Sequence, residues 1–377
     1  MAEAPLSRRD FVKTTALVAA PALAGFPAIL VGKEVGQQLQ VGFIGVGGRG
    51  SSLLAAVNNN VSASNVRVAA ICDIDPGNRQ KAIDRCPSPK PDGLEDYRKL
   101  LERKDLDAVF IATPVYLHSE MARAACAAGK NVYCEKPLGR TPEEVTAVYQ
   151  AVKAAPNVKF QVGFQWRYQE VYQRSVELVQ QGGIGKVLFI KAQRHGTGDL
   201  PRGTPWYFQR DLSGDIIVEQ AVHEMNVFCW LMGDHAVRAA GLGGINRYVD
   251  TPPGRTVMDH YSLSLEFPQG VRLAYSHCFF APKGFDGLSQ HVYGDKGGID
   301  LVDGVLHQDG KETRLDANRV DATEAGIRDF FRCVHEDRKV LADVEAGYRA
   351  TMTAILGRTA LHTGSVATWE GVVGKTA

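Results

Sequence analysis

Leu39-Gln-Val-Gly-Phe-Ile-Gly45-Val-Gly47-Gly-Arg-Gly50 decides how the rest of the chain reads. The apolar run Val41, Phe43, Ile44 ends in Gly-x-Gly-x-x-Gly, and a helix-like segment, 51–57, follows at once. A dinucleotide site needs this order. Gly45 permits the tight turn out of the strand, Gly47 lets backbone approach a pyrophosphate, and Gly50 lets the helix pack on the strand. Gly48 and Arg49 complete the loop, and the helix N-terminus offers phosphates free N–H groups and the positive end of its dipole. Glycine is common here (39 residues), so the pattern alone is weak and its context decides. A second apolar run, 66–71, ends in Cys72-Asp73, with Asp73 23 residues beyond Gly50, close to the expected spacing of about 20. A carboxylate there accepts hydrogen bonds from ribose hydroxyls and repels a 2′-phosphate. NAD is therefore favoured, while Arg79 nearby keeps NADP open.

Outward from that stretch the alternation continues. A short helix opens at Asp75-Pro76-Gly77, 87–93 is a Pro-rich loop, and 97–103 is a short helix. Strand 107–112 ends in Thr113-Pro114, helix 119–128 stops at Gly129, and strand 131–134 runs straight into Glu135-Lys136-Pro137. Thr141-Pro142-Glu143-Glu144 begins a helix, with Thr141 as N-cap and Pro142 at the first helical position. Strands alternating with helices imply a doubly wound parallel sheet, an α/β fold of Rossmann type, with ligands at the carboxyl ends of the strands. Asp73, Thr113 and Lys136 all fall on that edge.

From about residue 159 the pattern changes. Strand 160–164, read as the first of a second domain, and helix 170–181 precede long strands at 187–194, 237–245, 260–267, 271–280 and 289–293. Phe267-Pro-Gln-Gly270 is a hairpin turn between two alternating runs. The expectation is an α+β domain with a large open, mostly antiparallel sheet, helix 214–232 on one face, and closing helices at 324–336 and 344–363. The division is 1–38, 39–158 and 159–377.

The first of these segments reads as a leader. Ser7-Arg8-Arg9-Asp-Phe11-Val-Lys13 and the weakly apolar 14–30 resemble a twin-arginine export signal, with Ala22-Leu23-Ala24 as a plausible cleavage site. Pro21, Gly25 and Pro27 interrupt the stretch, which argues against a membrane anchor. The expectation is export of the folded protein by the twin-arginine machinery to the periplasm or beyond, with no stable membrane association. The net charge of +1 recruits no nucleic acid. The seven cysteines form no CxxC pair and no ligand spacing, so they read as buried thiols.

Two constellations carry chemistry. Lys136, just past a buried strand at the ligand edge, can hold a substrate hydroxyl and exchange its proton; the alternative is a solvated loop lysine. In Gly214-Asp-Ile-Ile-Val-Glu219-Gln-Ala-Val-His223-Glu-Met-Asn226, Glu219 and His223 are four apart and read as one helix face, with Asn226 three further on. Glu219 could orient His223, and His223 could act as general base; a buried structural network is the competing reading. Two ligands make no metal site, so no metal is expected. Arg167, Arg194, Trp206 and Tyr207, at strand ends or in a Gly/Pro-rich loop, suit a polyol substrate, and His118 could reach the nicotinamide end.

These residues together resemble the Gfo/Idh/MocA oxidoreductases (glucose–fructose oxidoreductase, inositol dehydrogenase and relatives). The likeness runs from 39 to about 365. It rests on the glycine loop 45–50, Asp73, Ala112-Thr113-Pro114, Glu135-Lys136-Pro137, the Arg167 region and the helix bearing His223, the Glu-Lys-Pro motif being the specific part. The resemblance implies a nicotinamide in the cleft between a Rossmann domain and an open sheet. It makes Lys136 a contact to substrate and nicotinamide, and His223 the acid/base. Glu219 stands where the family usually has Asp. Asn226 stands where Asp is frequent, closer to the glucose–fructose oxidoreductase branch, which is also exported with its nucleotide tightly held. The implied activity is hydride transfer between NAD(P) and a secondary alcohol of a sugar, glycoside or cyclitol, in a homodimer or homotetramer. The alternatives are a glycoside hydrolase working through a transient 3-keto intermediate, and a non-catalytic sugar–dinucleotide binding protein.

Overall fold

The computed structural model describes residues 37–200 and 204–374; the leader segment lies outside them. From Leu39 the chain alternates through β1 (Leu39–Ile44), α1 (Gly48–Asn60), β2 (Val66–Cys72), α2 (Pro76–Arg85), β3 (Asp92–Leu94), α3 (Tyr97–Glu102), β4 (Ala108–Ile111), α4 (Val115–Ala127), β5 (Asn131–Cys134), α5 (Pro142–Lys153) and β6 (Phe160–Val162). These strands form one six-stranded sheet in the order β3-β2-β1-β4-β5-β6, parallel throughout. β4 is buried along its whole length, as a parallel sheet covered on both faces requires. The caps fall where the sequence puts them. Asp75 accepts from Asn78 N at 2.6 Å at the start of α2, and Thr141 Oγ1 accepts from Glu144 N at 3.3 Å at the start of α5.

The remaining elements are α6 (Glu170–Gln180), β7 (Val187–His195), α7 (Arg210–Ser213), α8 (Asp215–Glu219), α9 (Val222–Met232), β8 (Arg238–Gly244), β9 (His260–Glu266), β10 (Arg272–Cys278), β11 (Gly287–Gly294), β12 (Gly298–Asp300), β13 (Val305–Gln308), β14 (Lys311–Arg314), α10 (Ala322–His335), α11 (Val344–Thr363), β15 (Ala367–Thr368) and α12 (Trp369–Val373). Nine strands make the second sheet, in the order β14-β13-β12-β11-β7-β10-β9-β8-β15. β10 runs parallel to β7; the other pairs are antiparallel. The alternating burial of β9 shows one face covered and one open. α11 lies on the covered face, its Gly357 so close to Ile217 and Leu263 that a Cβ would fall 2.7 and 2.9 Å from them.

Three expectations change. Phe160–Val162 is the sixth strand of the first sheet, pairing Val132 with Phe160, and not the first strand of the second. A three-residue apolar run does not say which neighbour it will find. The helix expected over 214–232 is broken: α8 ends at Glu219, Ala221 N reaches back to Ile216 O, and α9 starts at Val222. The helix expected at 324–336, α10, closes the first lobe. Its Ile327, Phe330 and Phe331 are buried with Phe43, Phe110 and Tyr133, and Phe110 stacks on Phe43 at 4.7 Å and meets Phe330 edge-on at 5.7 Å. All seven cysteines are free, and Cys72, Cys126, Cys134 and Cys229 are buried, as read from their apolar positions.

Candidate active site

The glycine loop bends as its sequence requires. Gly45 has φ +84°, and a Cβ there would sit 2.9 Å from the Ala112 backbone; at Gly50 a Cβ would fall 2.1 Å from the Gly45 carbonyl oxygen. At Gly47 and Gly48 a Cβ would meet nothing within 4 Å, so the approach to the start of α1 is open. This space belongs to a cleft of about 680 Å³. The first lobe lines it with Gly45, Gly47, Gly48, Arg49, Asp73, Thr113, Pro114, His118, Glu135 and Lys136, and the second lobe adds Gln165, Trp206, Tyr207, Glu219 and His223. A nicotinamide dinucleotide fits this donor set. The open glycine backbone at the N-terminus of α1 suits the pyrophosphate, and Asp73 at the end of β2 suits the ribose.

Several first-lobe side chains are already anchored. Asp73 Oδ2 accepts from Val46 N at 2.8 Å, which holds the carboxylate over the loop. Arg79 donates to the Asp73 carbonyl oxygen at 2.5 Å, so its guanidinium is committed to backbone. Arg49 is drawn to Glu135, Nε to Oε1 at 2.7 Å, and reaches Thr323 on α10 at 3.3 Å; it ties the glycine loop to the Glu-Lys-Pro segment. His118 sits in the first turn of α4, fully enclosed, with Nδ1 2.7 Å from Pro137 O and Nε2 2.8 Å from Thr113 O. Burial pushes its pKa down while the two carbonyls push it up. Burial wins, and a neutral ring can donate to one of the two carbonyls. His118 therefore clamps the loop after β4 to the loop after β5. It lines the nicotinamide cleft with both ring nitrogens turned to backbone.

A pair of charged side chains meets across the lobes. Lys136 Nζ donates to Glu219 Oε1 at 2.9 Å and to the Glu219 carbonyl at 2.6 Å. Glu219 is thus partnered by Lys136, and no hydrogen bond joins it to His223. The break after α8 removes the helical spacing that suggested one. His223 follows at the start of α9, almost buried, its ring 5.3 Å from Trp166 and 6.2 Å from Phe164. Burial first, then the positive charges of Lys136, Arg194 and Arg49, hold its pKa well below the usual 6.5. The imidazole is neutral at pH 7 and has a proton-accepting nitrogen to offer. Its Nδ1 is sealed from solvent without a partner among the described residues.

Of the expected substrate contacts, Trp206 and Tyr207 reach the cleft, on a short turn with their rings 4.2 Å apart. Burial, then the charges of Glu219 and Glu135, push the Tyr207 hydroxyl pKa up. Arg167, Asn226 and Arg194 do not line the cleft. Arg167 Nε donates to Asn226 Oδ1 at 2.9 Å, a closed contact in the interior. Arg194 donates to the fully buried Glu224 at 2.5 Å, with its guanidinium 5.3 Å from the Trp166 ring. A buried carboxylate needs a cation, and Glu224 claims this one. Arg194 therefore backs Trp166, and Trp166 is the residue that meets His223. The sequence signal was present in Gln165-Trp166-Arg167 but pointed to the wrong neighbour. Ile74, Asn78, Glu95 and Tyr97, at the Asp73 end of the cleft, carried no sequence signal.

Comparison with known proteins agrees with this fold and with a nicotinamide dinucleotide as the cofactor. Residues 39–164 match the family described as "Oxidoreductase family, NAD-binding Rossmann fold", and residues 172–300 match the "GFO/IDH/MocA C-terminal domain". An inositol 2-dehydrogenase of Salmonella typhimurium is 32% identical over 197 residues, 52% of this chain and 55% of that one, so the match spans about half of the relative's length. An inositol 2-dehydrogenase of Gluconacetobacter diazotrophicus is 28% identical over 84% of this chain and 92% of its own. Levoglucosan dehydrogenase in complex with NADH and L-sorbose has the same fold, with TM-score 0.77 at 21% identity, covering 89% of this chain and 100% of that one.

Proposed function

The chain belongs to the Gfo/Idh/MocA oxidoreductase family, and from that premise we propose that it moves a hydride between NAD and a secondary alcohol of a sugar or cyclitol. One observation carries the reading: the Lys136–Glu219 ion pair, 2.9 Å long, closes the seam beside a neutral His223 in the same cleft. Bound NAD supplies the hydride acceptor at its nicotinamide ring. His223 takes the hydroxyl proton on oxidation and returns it on reduction. Lys136, fixed in direction by Glu219, donates a hydrogen bond to the developing alkoxide oxygen. Trp166 packs on the imidazole and keeps bulk water from it, and Trp206 and Tyr207 offer apolar ring faces to a polyol.

The test is to incubate the NAD-loaded protein with inositols, free sugars and aryl glycosides. The proposal expects NADH and a keto product with the aglycone retained. Released aglycone would support the hydrolase reading, and binding without product the non-catalytic one; either would replace the proposal. The relatives named above are dehydrogenases, which favours plain redox chemistry.

The twin-arginine pattern at 7–13 supports export to the periplasm or beyond, where free NAD is scarce. The proposal there is a retained nucleotide cycling between two half-reactions. The open sheet face, carrying exposed Leu188, Phe189 and Tyr293, supports a homodimer or homotetramer. Mass spectrometry of the gently purified protein tests both at once. Subunits that lose NAD on purification and remain monomeric would overturn this part.

A further inference from the structure

A second cavity, about 790 Å³ in volume, shares no lining residue with the nucleotide cleft. It lies among α6, the end of α9, α10 and the segment leading into α11, and Arg167 is its most buried charge, 7% exposed. Among the described residues the Arg167 guanidinium bonds only to neutral acceptors, Asn226 Oδ1 at 2.9 Å and Leu341 O at 3.3 Å, and lies 4.9 Å from the Trp230 ring. Burial lowers its pKa to about 10, so it stays charged at neutral pH without a carboxylate in contact. The Asp343 charge offsets that burial from a distance, without contact, so the cation is only partly compensated.

The surrounding charges do not complete it. Of the lining carboxylates, Asp343 is taken by Lys339 at 3.0 Å and Glu345 by Arg349 at 3.0 Å. Arg338 turns to Glu336 at 3.2 Å. Arg328 and Arg332, one turn apart on α10, line the cavity with no ion-pair partner among the described residues, and Asp329 has only the Cys333 thiol, at 3.8 Å. Among the described residues, three lining guanidinium groups without an ion-pair contact therefore meet one such carboxylate, a local surplus on a chain whose net charge is +1.

We propose that this cavity is a binding site for a small polyanion, a metabolite carrying two or more carboxylate or phosphate groups. Guanidinium forks donate paired hydrogen bonds to such oxyanions, which a solvated lysine patch does not do. The site reaches the chemistry through a short path. Arg167 donates to Asn226, three residues beyond His223 on α9, so an anion that draws the guanidinium toward the cavity loosens the contact that holds this turn.

The test uses the full chain saturated with NAD, so that anions cannot compete at the glycine loop. Citrate and inorganic phosphate are titrated separately at constant ionic strength, with binding read by calorimetry and by thermal unfolding. Saturable binding with one site per chain is expected, with a rise in melting temperature. Arg328→Ala/Arg332→Ala, at exposed positions, should weaken it by about tenfold or more while NAD affinity is unchanged. Binding of citrate alone assigns the site to carboxylates, of phosphate alone to phosphate esters, and of both to oxyanions generally. No saturable binding of either anion, or equal binding by the double variant, overturns the proposal.

Discussion

The two sides of the cleft hold their polar groups in opposite ways. On the nucleotide side Asp73, Arg49, Glu135 and His118 each bond to a fixed neighbour within the chain. On the helix side more is left incomplete: His223 Nδ1 and, behind the cleft lining, Glu224 Oε2 and Asn226 Nδ2 have no partner among the described residues, against Arg49 Nη2 alone of the four on the nucleotide side. An unmade buried hydrogen bond costs about 1–3 kcal/mol, so groups left open this way are free to take a ligand or ordered water as a partner. The first side is a preformed cradle; on the second, His223 is the incomplete residue at the cleft, with Glu224 and Asn226 incomplete behind it.

The largest way to break this contrast is at Gly50. Gly50→Val drives a side chain into the Gly45 carbonyl, 2.1 Å from the first added atom. Thermal unfolding should show a loss of at least about 3 kcal/mol, with NAD binding abolished; retained NAD affinity would mean that the loop is not the cradle. Next is His223→Ala, which should lower turnover roughly 10²–10⁴-fold, the usual general-base contribution, with NAD affinity kept. Unchanged turnover would remove His223 from the mechanism.

Arg194→Met probes the incomplete side without touching the cleft. It strands Glu224, and breaking a fully buried pair costs about 3–5 kcal/mol. The Arg194 side chain is 27% exposed, so solvent screening reduces this to roughly 2–3 kcal/mol. Glu224→Gln added to it should recover most of the loss in chemical denaturation, and no recovery would mean that Arg194 acts by packing alone. Glu219→Gln, the smallest change, keeps an acceptor for Lys136 but removes its charge. Turnover should fall about tenfold, in line with a charge-assisted bond becoming a neutral one. A larger loss on the scale of His223→Ala would give Glu219 a part in proton transfer itself.

The contrast also explains what the sequence made legible. Gly45, Gly50, Asp73 and Lys136 are tied to backbone shape within a few residues of themselves, so a local motif announces them; the structure brings Gly45, Asp73 and Lys136 to one cleft and packs Gly50 beneath the loop against Gly45. The open, mostly antiparallel character of the second sheet follows from alternation along β9 and β10 in the same way, whereas the short strands β12 to β15 and the parallel pairing of β7 with β10 do not. The break at Gln220 is silent, because the apolar pattern of 216–231 runs on while the backbone does not. Arg167 and Arg194 suggest substrate contacts by residue type alone. Their destinations, Asn226 and Glu224, are chosen by the packing of α9 against elements far away in the chain. The strand at Phe160–Val162 is of the same kind, since its partner β5 is a tertiary choice.

The central claim is that a neutral imidazole waits at the seam of the lobes. Burial and three nearby cations depress its pKa. The unfolded chain then binds a proton near pH 6.5 that the folded one refuses, so this group's contribution to stability is whole above about 6.5 and declines as pH falls below it. The direct measurement is the proton titration of the His223 ring by NMR in the NAD-bound protein, assigned by comparison with His223→Asn. The account predicts a ring that stays neutral at pH 6.5 and takes its proton only well below it; a midpoint at or above 6.5 contradicts it.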